Sequence, residues 1–63
     1  MSPTIKLWLR ELYKEEIRTT QIAIKQNKRS IKNYDGLGPN PIEQTIKDLT
    51  EYLTILKDLL SNL

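Results

Sequence analysis

Apolar residues recur through the C-terminal segment at Ile42, Ile46, Leu49, Leu53, Leu56, Leu60 and Leu63. The steps alternate between four and three residues without interruption, so all seven share one stripe of a helix and form a coiled-coil seam. Tyr52 and Leu59 lie beside this seam and Ile55 lies away from it. The apolar surface is wider than one facing helix would cover, which predicts a further helical neighbour.

The preceding segment keeps the same spacing through Tyr13, Ile17, Thr20, Ile24, Asn27, Ile31 and Tyr34. Its polar seam positions, Thr20 and Asn27, are of the kind that fixes register and oligomer state at some cost in stability. Upstream, Ile5, Trp8, Leu9 and Leu12 form a face offset from the seam, so a stutter or a change of partner is expected near residues 9–13. The adjacent threonines Thr19 and Thr20 have weak helix propensity and mark the place where this helix could break.

Two start signals delimit the helices. Ser2-Pro3 and Asn40-Pro41 each place a capping side chain before a proline whose missing N–H would have no helical partner anyway. Glu43 adds a capping-box residue three positions after Asn40 and a negative charge in the first turn. Between the helices, Gly36 is expected at positive φ, with Leu37 folded back on the last turn and Pro39 opposing any continuation. The pattern predicts an all-α antiparallel helical hairpin forming a single domain over residues 1–63: a long helix over about 3–34, a loop over about 35–40 and a shorter helix over about 41–62. The first helix would be about 15 Å longer. Leu63 would then fall near Leu12, leaving residues 3–11 as an overhang.

Length sharpens this picture. A chain of 63 residues buries only roughly 60% of the surface its unfolded form exposes. Domains this small are usually stapled by disulfides, metals or self-association. With no Cys and no His, the first two are out of reach, so a dimeric four-helix bundle is the expected assembly. The N-terminus lacks the apolar stretch of a signal peptide. The longest apolar run, Leu7-Trp8-Leu9, is far short of the roughly 18 residues of a membrane span. A cytoplasmic protein without a membrane role is expected, and the acids at Glu11, Glu15 and Glu16 argue against anionic lipid.

The net charge of +2 conceals an asymmetry. Residues 17–34 carry Arg18, Lys25, Lys28, Arg29 and Lys32 with no acid, whereas residues 41–63 carry Lys47 and Lys57 against Glu43, Asp48, Glu51 and Asp58. A basic helix beside an acidic one predicts favourable antiparallel pairing.

No catalytic residue, metal ligand set or cofactor motif emerges, and no small-molecule substrate is expected. General acid–base and nucleophilic mechanisms lack their usual His and Cys. Gly36-Leu37-Gly38 does not match a phosphate loop, and the helical acids lack the Glu-x-x-His pairs of bundle metal sites. Glu11, Glu15 and Glu16 instead suit a solvated face pairing with Lys14 and Arg18.

Two surfaces remain as candidates. Ile5, Leu7, Trp8, Leu9, Arg10 and Leu12 would form a partner-binding segment around the single Trp, a residue type enriched in binding hot spots. Lys14, Arg18, Lys25, Lys28, Arg29 and Lys32 would form a nucleic-acid face, although no aromatic is interleaved with it. The core and oligomer seam would comprise Ile17, Ile24, Ile31, Ile42, Ile46, Leu49, Leu53, Leu56 and Leu60. The expectation is a non-enzymatic interaction module that self-associates as a homodimer and regulates or inhibits a larger protein. Ile-, Lys- and Asn-rich composition suits an AT-rich genome, such as that of a low-GC bacterium or its phage, and a phage inhibitor of a host enzyme or defence system is one version of this role. The alternative is a small helical-bundle RNA- or DNA-binding regulator.

Overall fold

A computed structural model describes residues 2–34, 36, 38 and 40–63. It is a two-helix hairpin of α1 (Pro3–Ile31) and α2 (Pro41–Ser61). Both starts follow from their caps. The Ser2 hydroxyl accepts the Ile5 N–H at 3.2 Å, and Asn40 Oδ1 accepts the Ile42 N–H at 2.9 Å. Each proline occupies the first helical turn, where it removes no hydrogen bond. Glu43 stands in the first turn of α2, and Lys28 and Arg29 stand in the last turn of α1, all with the sign the helix dipole favours.

α1 runs unbroken through Thr19 and Thr20. The Thr19 hydroxyl donates to the Glu15 carbonyl at 3.0 Å, four residues back, which satisfies the side chain without opening the helix. The C-terminus differs from the expected Gly36 cap. α1 ends at Ile31, about a turn early, and its last carbonyls are closed by tighter three-residue turns: Asn33 N–H to Ser30 O and Tyr34 N–H to Ile31 O. The positive φ belongs to Gly38, at +93°, and not to Gly36. Gly36 has a different reason to lack a side chain, because a Cβ there would lie 2.8 Å from Cε2 of the Tyr34 ring. The expected roles of Leu37 and Pro39 fall on positions outside the described residues.

The seam positions among the described residues are all withdrawn from solvent. On α1 and its extension, Tyr13, Ile17, Ile24, Asn27, Ile31 and Tyr34 are half-buried and Thr20 is buried. On α2, Ile42, Ile46, Leu49, Leu53 and Leu60 are half-buried, Leu63 just beyond it likewise, and Leu56 is buried. Only Thr20 and Leu56 fall to 4% exposure among the described residues. Two helices alone cover each other on one side, so this core is a single stripe deep. Asn27 satisfies its amide locally, donating to the Ala23 carbonyl at 2.7 Å, so this polar seam residue makes its bond within its own helix.

The helices contain 29 and 21 residues; the difference of eight residues makes α1 about 12 Å longer. The overhang is shorter than the sequence suggested. Leu9 is half-buried, because successive four-residue steps back from Ile17 through Tyr13 place it on the seam stripe. It does not belong to the offset face with Ile5, Trp8 and Leu12.

Candidate functional site

Four of the five large exposed apolar residues among those described on α1 gather in its first turns: Ile5 at 46% exposure, Leu7 at 54%, Trp8 at 63% and Leu12 at 64%. They do not form one face. At 3.6 residues per turn, Ile5, Trp8 and Leu12, spaced i, i+3, i+7, stay within about 60° of one another. Leu7 and the exposed Arg10 project to the other side of the helix, where Pro3, Lys6, Leu7 and Arg10 line a shallow depression of about 290 Å³.

α2 repeats the same spacing in Tyr52, Ile55 and Leu59, at 41%, 53% and 43% exposure. Each triplet is rotated from its own seam by about 100° in the same sense. On antiparallel helices the same sense of rotation brings both triplets to the same broad side of the hairpin. One hydrogen bond ties this side together: the Tyr52 hydroxyl donates to Glu16 Oε1 at 3.1 Å. The bond pushes the Tyr52 phenol above its ordinary pKa, since ionisation would remove the proton it donates. The sequence carried the signal for this shared face in the repeated i, i+3, i+7 triplets, but only the antiparallel pairing merges them. A further exposed apolar residue, Ile22 at 47%, stands apart on the outer side of α1.

The basic residues Lys14, Arg18, Lys25, Lys28, Arg29 and Lys32 are all exposed. Their helical positions centre about 100° from the seam in the opposite sense, on the reverse side of the hairpin. Lys14 pairs with Glu11 at 3.7 Å, and Arg18 grips both carboxylate oxygens of Glu15, at 2.6 and 3.4 Å. The Arg18 hydrogen bond, followed by its charge, holds Glu15 below the usual carboxylate range. Lys25, Lys28, Arg29 and Lys32 make no ion pair with any described residue, and neither of the pairs above joins α1 to α2. Attraction between a basic and an acidic helix is therefore not expressed as interhelical ion pairs among the described residues.

Other surfaces offer less. A shallow depression of about 490 Å³ runs along the outer side of α2, lined by Gln44, Lys47, Asp48, Thr50, Glu51 and Thr54. Its walls carry no aromatic or large aliphatic side chain, unlike the mostly apolar clefts that hold small molecules. Among the described residues no cluster of three or more His, Cys, Asp or Glu could hold a metal, and no helix is long and apolar enough to cross a membrane. Comparison with protein-family models, curated proteins and solved structures finds no match to this chain.

Proposed function

We propose that this chain is a non-enzymatic, cytoplasmic interaction protein whose hairpins associate with one another and dock on a larger protein to regulate or inhibit it. A phage or mobile-element factor acting on a host enzyme or defence system is one form of this role. The observation that carries the reading is the exposure of Trp8, at 63%, among Ile5, Leu7 and Leu12 in the first turns of α1. A Trp left this open on a rigid helix suits an anchor for a macromolecular surface. The test is capture of host proteins by immobilised chain, comparing the parent with Trp8→Ala and Leu7→Asp variants. A stoichiometric partner retained by the parent and lost with Leu7→Asp supports the reading. Equal capture by all three refutes it.

One observation favours a second reading as a nucleic-acid-binding regulator: Lys25, Lys28 and Arg29 of α1 and Lys32 just beyond it stand together without ion-pair partners among the described residues. Such a row could follow a phosphate backbone.

A further inference from the structure

We propose that the broad apolar side of the hairpin, formed by Ile5, Trp8 and Leu12 of α1 with Tyr52, Ile55 and Leu59 of α2, is the interface for a second copy of this chain. The inference deepens the self-associating reading above and rests on it.

Three observations point to a second copy. The first is area. With one Trp and one Tyr among them, the six side chains expose on the order of 600 Å², against the roughly 800 Å² that a stable interface takes from each partner. The uncharged Thr19, Ala23 and Gln26 continue the same side of α1 and extend the contact towards that size.

The second is charge. In a two-fold interface each residue near the axis meets its own copy, so a charge at the centre would face itself. The six residues carry none. Of the acids bordering them, Glu16 is held by the Tyr52 hydroxyl and Asp48 by the Gln44 amide at 2.9 Å, both within the protomer. This acidic margin also disfavours an anionic membrane as the occupant.

The third is the thinness of the protomer's own core, in which only Thr20 and Leu56 are buried among the described residues. A fold so short of buried surface needs its cover permanently. The one partner present wherever the chain is made is the chain itself. Pairing through this side leaves the basic row of α1 and the Leu7–Arg10 side facing solvent.

Sedimentation equilibrium of the full chain with Ile55→Asp, Leu59→Asp and Ile22→Asp variants tests the proposal. The parent and Ile22→Asp should be dimers at tens of micromolar, and the other two should shift to monomer by at least tenfold in dissociation constant. Because dissociation could unfold so small a protein, a second measurement uses the absence of native cysteine. A short thiol-reactive cross-linker should join copies carrying Ile55→Cys and not copies carrying Lys28→Cys. A monomeric parent, a dimer unaffected by Ile55→Asp, or preferential linking through Lys28→Cys would each overturn the proposal. The docking of a larger partner is judged separately through Leu7→Asp, off this face. A monomeric chain that still captures that partner overturns only the dimer, and a dimer through Ile55 with no partner leaves it supported.

Discussion

Tyr52 and Glu16 make the one side-chain hydrogen bond between the two helices among the described residues, phenol to carboxylate at 3.1 Å. It lies on the apolar side and both partners are exposed, so its contribution to stability is small. Its pH dependence has a defined sign. The folded-state pKa of Tyr52 is raised, so the stabilisation is fully present below the phenol's ordinary value near pH 10 and disappears as pH rises through the higher folded value. Thermal melts of the parent and Tyr52→Phe should differ slightly at neutral pH and respond differently as pH rises past the phenol's ordinary value. Identical pH responses of the two proteins would show that the bond contributes nothing in solution.

Glu15 offers the opposite case. Arg18 lowers its folded-state pKa, so its contribution is present above the ordinary carboxylate value and is lost as pH falls through the folded one. The group is fully exposed and the pair spans one turn, so Glu15→Gln should leave the neutral-pH melting temperature almost unchanged and reduce the parent's acid-induced loss only slightly.

Leu56 is the only buried large aliphatic residue among those described, at 4% exposure. Leu56→Ala should cost about 2–5 kcal/mol in chemical denaturation, enough to unfold much of the population of so small a domain. Leu53→Ala, at a half-buried position, should cost less.

The loop glycines should respond for different reasons. Gly38→Ala places a side chain at φ +93° in otherwise open space, and should cost about 1–2 kcal/mol from backbone conformation alone. Gly36→Ala should destabilise only through the Tyr34 ring, so its cost should vanish in a Tyr34→Ala background, measured as a double-mutant cycle.

For the competing functional readings, replacing Lys25, Lys28 and Lys32 together by Gln should leave binding of a protein partner within about 1 kcal/mol, since exposed charges contribute little one by one. Leu7→Asp, on the side of α1 that self-pairing leaves open, should weaken it by about 2 kcal/mol or more. RNA binding that falls steeply with salt, and disappears in the triple-lysine variant with Trp8→Ala silent, would establish the nucleic-acid reading instead.

Local signals carried most of the fold. Ser2-Pro3 and Asn40-Pro41 mark both helix starts because a cap acts over three residues and needs no tertiary context. The four-and-three spacing likewise picks out the withdrawn stripe on each helix. Sequence spacing misled where geometry is set by neighbours: α1 closes with tight turns at Ser30 and Ile31 before Gly36 is reached, and Leu9 joins the seam through consecutive four-residue steps. The shared apolar side was not legible from either helix alone. Ile55 looks misplaced beside its own seam, and becomes part of a surface only when the antiparallel turn sets it on the same side as Trp8 and Leu12.

The hairpin's elongation has a consequence for how its assembly can be measured. Its radius of gyration is 15.3 Å and it extends 52 × 14 × 11 Å, whereas a globular chain of this length would have a radius near about 11 Å. By size alone one protomer resembles a globule of roughly 160 residues. Elution volume would therefore overstate the mass of a single chain. Stacking a second hairpin side against side, parallel and in register, adds about 10 Å of thickness and no length. In solution scattering, that association should double the forward intensity per chain while the radius of gyration barely moves, whereas end-to-end joining would increase both.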